Sequence, residues 1–322
     1  MLEQSIKQSL EQPLEQSQSA PINPLPQLKF TIGGLDLRIV AGIALTVIPW
    51  ASAFPAIRVG LQAYTPEHLA LLRYLTASFV LLMYALATRM PLPDRNHIPR
   101  IAALGFVGLT FYNVALNAGE QGISAGAASL IIASAPIFVA LLARTFLKER
   151  FTVWAWVGIA ICVIGVSVIV SGAGEGLRFS PLALLVLAAA FAQSTYTVGQ
   201  KPLLKRYSPI QFTTYAIWAG TLFLLVFSPG LPAEIAAAPL KSTLAIVYMG
   251  IFPGAIGYIA WAYVLSRLPA SRAGSFLYLV PAIAILIAWL WLGEVPTLFA
   301  LLGGALVLTG VIIVNTRGRR TA

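Results

Sequence analysis

SAGAASLIIASAPIFVALLARTFLKERFTVWAWVGIAICVIGVSVIV, residues Ser124–Val170, lies without a gap on PASRAGSFLYLVPAIAILIAWLWLGEVPTLFALLGGALVLTGVIIVN, residues Pro269–Asn315. At this offset of 145 residues Ala125/Ala270, Ala128/Ala273, Pro136/Pro281, Glu149/Glu294, Gly158/Gly303 and Gly165/Gly310 coincide. Thirteen of the 46 pairs from Ala125 to Val170 are identical, where chance in so apolar a composition gives roughly four. The matches include Pro, Glu and Gly, which apolar low complexity does not align. Upstream the repeat is fainter: Tyr64-Thr-Pro66 answers Tyr207-Ser-Pro209, Trp50-Ala-Ser52 answers Phe191-Ala-Gln193, and Gly108 answers Gly250.

Charged residues make up 10% of the chain and apolar ones 58%, against about 25% charged in soluble domains. A helix crosses the hydrocarbon core in about 20 residues. Ten apolar stretches qualify: 37–57, 68–88, 99–118, 125–147, 153–171, 181–200, 208–228, 242–265, 271–292 and 296–315. Five per copy is an odd number, so the second copy enters the bilayer upside down, the ground plan of many secondary transporters. The expected fold is an all-α polytopic membrane protein, ten transmembrane helices arranged as two inverted five-helix repeats. The expected organisation is a disordered cytoplasmic tail at 1–34, repeats at 35–172 and 177–316, and a basic cytoplasmic C-terminus at 317–322.

The net charge of +10 is a topology signal. Arg89, Arg95 and Arg100, then Lys148 and Arg150, Lys201, Lys205 and Arg206, Arg267 and Arg272, and finally Arg317, Arg319 and Arg320 fall at alternate connections. The intervening loops hold Arg58, Arg178 and Lys241. This positive-inside bias predicts a multi-pass protein of the inner (plasma) membrane with both termini cytoplasmic. The partners expected are the lipid bilayer and a small-molecule substrate, and nucleic acid is excluded; oligomeric state is not written in any motif. Residues 1–34, rich in Gln, Ser and Pro, lack the pattern of a secretory signal. Cys162 stands alone, so no intramolecular disulfide forms.

Trp50-Ala-Ser-Ala-Phe-Pro-Ala-Ile-Arg58, Thr65-Pro66 with Leu72-Arg-Tyr74, Ser124-Ala-Gly-Ala-Ala-Ser129, Ala135-Pro136 and Leu147-Lys-Glu-Arg150, echoed by Pro281 and Gly293-Glu294, carry a family resemblance. On these residues the chain resembles the EamA family of the drug/metabolite transporter superfamily, over nearly everything after the tail. It departs at Val295, where the first copy has Arg150. The resemblance implies a ten-helix carrier with a central cavity between its halves, working by alternating access. Family members include exporters of amino acids and other small metabolites.

Charge inside a span is costly, about 2.5–3.5 kcal/mol for a central Arg on insertion scales. Arg73 therefore either snorkels to the outer interface or pairs with Glu120, or it meets a substrate carboxylate or works as a gate. Asn113, Asn117 and Gln121 share one helix face, as do Gln193, Thr197 and Gln200 with Tyr196 beside them. Lipid offers such groups no partner, so they face protein or a wet cavity. Trp50 and Ser52 adjoin Pro49 and Pro55, and Tyr258 and Tyr278 lie in later spans. The substrate-cavity candidates are Trp50, Ser52, Arg73, Asn113, Asn117, Gln193, Tyr196, Tyr258 and Tyr278. Pro49, Pro55, Pro136 and Pro281 are the helix-break and gating candidates. Trp154, Trp156, Trp261, Trp289 and Trp291 read as interfacial belt residues. Glu149 and Glu294 are expected to cap the helices that follow them.

No GxxxxGK[ST] phosphate loop is present, and His68 and His97 are the two histidines. An enzyme is therefore not expected; catalytic residues, metal ligands and cofactors are none. No span carries a carboxylate at its middle, so Glu120 is the one substitute for a buried coupling acid. The reading is a secondary transporter exporting small metabolites, possible cargo including amino acids. The alternatives are a multidrug exporter or a non-transporting membrane scaffold or receptor.

Overall fold

The computed structural model describes residues 31–32, 35–147, 152–172, 180–268, 273–274 and 276–317. Lys148, Glu149, Arg150, Arg178, Arg272, Arg319 and Arg320 lie outside the described residues, as do residues 1–30 of the tail and 173–179 of the central connection. Residues 1–37 form one unit, in which β1 (Thr31–Ile32) pairs antiparallel with β2 (Leu35–Asp36), Thr31 opposite Asp36. The strand residues Thr31 and Ile32, both β-branched, fall within the segment expected to lack structure.

The second unit, 38–322, consists of helices and short connections among its described residues. Its helices are α1 (Leu37–Gly60), α2 (Pro66–Thr88), α3 (Arg95–Glu120), α4 (Ala125–Ile132), α5 (Ala135–Leu147) and α6 (Val153–Gly172). There follow α7 (Pro181–Gln200), α8 (Pro209–Leu224), the short α9 (Leu231–Ala237), α10 (Leu240–Arg267), α11 (Leu279–Leu292) and α12 (Leu298–Arg317). Six of the described helical stretches are long and apolar enough to cross a membrane, and four shorter apolar ones accompany them, at Ala125–Val139, Trp156–Ile169, Leu279–Leu292 and Leu298–Gly310. Helices suit apolar surroundings because they satisfy the backbone internally. Large side chains such as Phe79, Leu86, Leu222 and Leu290 stand exposed on the outer faces, where acyl chains replace water.

The repeated Tyr-Thr/Ser-Pro motif is a pair of helix starts. Thr65 accepts from the His68 amide ahead of Pro66, and Ser208 forms a reciprocal capping box with Gln211 ahead of Pro209. In each, proline occupies the first-turn position whose missing N–H costs nothing. The Gly108/Gly250 match has a structural counterpart too. α3 loosens into a π-turn at Phe106–Phe111 and α10 into another at Gly250–Ile256. A Cβ on Gly108 would lie 2.4 Å from Tyr196, and one on Gly250 would lie 2.6 Å from the Arg73 carbonyl. Only hydrogen fits where these helices cross.

The best-matched part of the duplication packs on itself. A Cβ on Gly165 would lie 2.7 Å from the Gly303 carbonyl, and one on Gly310 would lie 2.5 Å from the Gly158 carbonyl. Between them Cys162 Sγ donates to the Val307 carbonyl at 3.0 Å. As the number rises along α6 it falls along α12, so the two matched helices run antiparallel.

Candidate substrate cavity

α1 brings Trp50, Ala53, Phe54 and Ile57 to one cavity, where they meet Arg73 of α2, Tyr112 and Leu116 of α3, Gln193 of α7 and Tyr258 of α10. The remaining wall comes from two broken helices. The chain turns at Ala133–Ser134 before α5 and at Leu277–Tyr278 before α11, and Pro136 and Pro281 stand in the first turn after each break. Proline fits there because the first-turn N–H has no helical acceptor. Both halves of the duplication thus face the space, which measures about 60 Å³ and holds roughly four to six waters.

Arg73 is 3% exposed. Its Nη1 donates to Asn113 Oδ1 at 2.9 Å, its Nε has no hydrogen-bond partner, and among the described residues no carboxylate oxygen comes within 4.0 Å of it. The snorkelling and Glu120-pairing readings are therefore corrected. Arg73 lies seven residues into an unbroken α2, roughly 10 Å from its start, and Asn113 holds it inward. Asn113 Nδ2 donates to the Tyr74 hydroxyl at 2.9 Å and to the Leu109 carbonyl at 2.8 Å, so this amide is fully engaged.

Gln193 is 7% exposed, and its amide makes no hydrogen bond to the described residues. Across the cavity Trp50 Nε1 donates to the Pro253 carbonyl at 3.1 Å, an acceptor within the π-turn of α10. The Trp50 ring packs edge-on to Tyr258 at 5.2 Å and against Trp261 at 5.7 Å. Trp261 is 2% exposed, which corrects its belt assignment: three residues after Tyr258, it shares that inward helical face. Trp154, Trp156, Trp289 and Trp291 are about half exposed, as 50%, 51%, 54% and 49%.

Of the sequence-predicted residues, Trp50, Arg73, Gln193, Tyr258, Tyr278, Pro136 and Pro281 line this cavity. Ser52, Asn113, Asn117 and Tyr196 stand behind its wall. The Ser52 hydroxyl meets the Pro49 carbonyl at 2.8 Å and the Tyr248 hydroxyl at 2.6 Å. Asn117 Nδ2 donates to the Pro66 carbonyl at 2.9 Å, and Tyr196 packs between Phe212 and Tyr258. Pro49 and Pro55 do not break α1, which continues through both; loss of a single N–H at each leaves the neighbouring turns intact. Tyr112 and Leu116 carry no signal in the sequence that sets them apart. Each lies one residue before an amide of the stripe, so the neighbouring helix face reaches the cavity.

At one end of the bundle Glu294 makes an unexpected connection. It does not cap its own following helix, where the Thr297 hydroxyl accepts the Ala300 amide at 3.1 Å. Gly293, with φ of 69°, turns the chain back, and Glu294 Oε2 accepts the Ala125 amide of α4 at 3.0 Å. Its Oε1 accepts from Arg58 Nε at 3.1 Å, while Arg58 Nη1 donates to the Glu120 carbonyl at 2.6 Å. Glu120 itself is fully buried at the last residue of α3.

A polytopic helical bundle with a cavity between two duplicated, helix-broken halves defines a membrane transporter. The model of the EamA-like transporter family matches residues 37–171 and 180–316, and the chain belongs to that family. It is 48% identical to the uncharacterized transporter YdfC of Bacillus subtilis (strain 168), over 85% of this chain and 90% of that protein. It is 45% identical to a probable terminal-alkyne amino-acid exporter of Streptantibioticus cattleyicolor, over 88% of this chain and 96% of the relative. A probable amino-acid metabolite efflux pump of Salmonella typhimurium is 26% identical, with 86% and 95% covered. A solved crystal structure shares the fold with a TM-score of 0.61 at 18% identity, covering 86% of this chain and 95% of that one.

Proposed function

We propose that this chain is a secondary carrier of the plasma membrane that exports small metabolites, amino acids among them, by alternating access around the cavity between its repeats. In this reading the chain crosses ten times, residues 35–172 and 177–316 form inverted five-helix units, and segments 1–34 and 317–322 lie in the cytoplasm. The antiparallel packing of α6 on its copy α12 supports the inversion. Pro136 and Pro281 are where the broken helices would move.

The observation that carries the proposal is a pair of unanswered recognition groups in a mostly apolar wall. Arg73 is a buried cation with no carboxylate within 4.0 Å among the described residues, and Gln193 is a buried amide with no partner there. Leaving such groups unsatisfied costs about 1–3 kcal/mol each, more for charge. A substrate carboxylate answers the guanidinium, an ammonium answers the amide oxygen, and an apolar side chain fits against Trp50, Phe54 and Tyr112. Two relatives are named for amino-acid cargo.

The test is counterflow in proteoliposomes loaded with single unlabelled amino acids, following entry of the labelled partner without an ion gradient. Exchange of apolar amino acids is expected, with Arg73→Gln slowing it by about tenfold or more and the methyl esters failing to compete. Silence across the panel from folded protein refutes the amino-acid reading, and competition by lipophilic cations alone would replace it with drug export.

A further inference from the structure

Glu120 is the last residue of α3 and is 0% exposed, yet neither carboxylate oxygen has a hydrogen-bond partner and no cationic nitrogen lies within 4.0 Å of it among the described residues. Arg58 is close by, but spends its Nε on Glu294 and its Nη1 on the Glu120 main chain. One guanidinium thus stands between two carboxylates and pairs with only one. A dry, unpaired carboxylate is far more costly than a neutral acid.

We propose that Glu120 is a proton-binding site, and that its proton decides whether Arg58 latches the two repeats together through Glu294. With Glu120 protonated, Arg58 belongs to Glu294, which also holds the first amide of α4, so the second repeat is tied to α1 and α4 of the first. On deprotonation the Glu120 O–H bond breaks and the proton passes to water in the open depression lined by Arg58, Gln62, Gln121 and Glu294. The new carboxylate draws the Arg58 guanidinium, the Arg58–Glu294 bond is lost, and Glu294 is released. The charged or titratable neighbours are Arg58 from α1, Arg73 from α2, Glu294 from the α11–α12 connection and Tyr112 on its own helix. His68 in the first turn of α2 is turned to the 229–234 segment instead, with Nδ1 2.8 Å from Glu234 Oε2 and Nε2 3.0 Å from the Pro229 carbonyl. From α7 Leu182 and Val186 approach Gly119 and Gly122 on either side of Glu120. The latched state is the one that holds the proton, so acid favours it and alkali releases it. The inference rests on the carrier reading only for what the latch would gate.

The experiment uses the full chain in lipid nanodiscs. Infrared spectroscopy at neutral pH should show a protonated carboxylic acid that Glu120→Gln removes and Glu294→Gln does not. In a Cys162→Ser background, Ser129→Cys places a thiol on the cavity wall, and its labelling by a membrane-impermeant thiosulfonate is divided by the rate in the same protein carrying Glu120→Gln, which cancels thiol ionisation. This ratio should be near one at about pH 5 and rise about tenfold by about pH 9, while Glu294→Gln labels fast throughout. A wild-type protein without the acid band, or a ratio flat with pH, overturns the proposal. The band with no counterflow in any amino acid would leave the proton site standing and remove the amino-acid reading.

Discussion

Asn113 is the residue whose replacement best separates architecture from transport. It is 0% exposed and makes three hydrogen bonds, one accepted from the Arg73 guanidinium and two donated, to Tyr74 and Leu109. Asn113→Leu keeps the branched shape of the side chain but strands Arg73. A hydrogen bond to a charged group contributes about 1.5–3 kcal/mol, and a neutral one inside a membrane protein averages about 0.6 kcal/mol. The single substitution should therefore destabilise by roughly 2–4 kcal/mol. In an Arg73→Met background the charged bond is already gone and the same change should cost about 1 kcal/mol or less. The coupling energy is then about 1.5–3 kcal/mol. Equilibrium unfolding in mixed micelles, followed by tryptophan fluorescence for the four proteins of the cycle, measures it. A coupling below about 0.5 kcal/mol would refute the view that Asn113 exists to hold Arg73 in the cavity wall.

Gly293 sits at φ of 69°, and a Cβ added there would meet nothing within 4 Å, so Gly293→Ala tests backbone strain alone; a loss of about 1 kcal/mol is expected in the same unfolding assay. At Gly165 a Cβ would lie 2.7 Å from the Gly303 carbonyl, and Gly165→Ala should cost about 1–3 kcal/mol as α6 and α12 are forced apart, with Gly165→Leu failing to give folded protein on size exclusion. Trp50→Phe removes the bond to the Pro253 carbonyl but keeps an aromatic ring. Stability should fall by no more than about 1 kcal/mol, while counterflow affinity falls more than that of a control such as Phe79→Leu on the exposed face.

Much of the architecture is legible in the chain because its cause is periodic and local. Apolar runs of spanning length mark helices, and a 145-residue offset marks the duplication. Tyr-Thr/Ser-Pro motifs mark capped starts, since a hydroxyl before proline has one local job. Pro136 and Pro281 stand just after helix breaks, whereas Pro49 and Pro55 lie inside an unbroken α1, so proline alone does not mark a break. The cavity is legible in part. Trp50, Arg73, Gln193, Tyr258 and Tyr278 stand out by polarity or aromaticity out of place in lipid, and all line it. Asn113, Asn117, Ser52 and Tyr196 meet the same criterion and serve the layer behind, because polarity in a span requires a partner without specifying whether that partner is protein or cargo.

The spans, the duplication and the charge bias follow from the chain alone, since hydrophobic length and residue spacing act before any two helices meet. The π-turns at Phe106–Phe111 and Gly250–Ile256 interrupt the regular period of α3 and α10, and it is packing that puts Tyr112 on the cavity wall and buries Trp261. Glu294 caps a helix 169 residues away instead of its own, and Glu120 is fully buried without a side-chain partner among the described residues. These outcomes depend on which carbonyls, amides and charges are brought within about 3 Å of one another. Spacing along one helix carries no information about that distance, and the packing of one repeat against the other sets it.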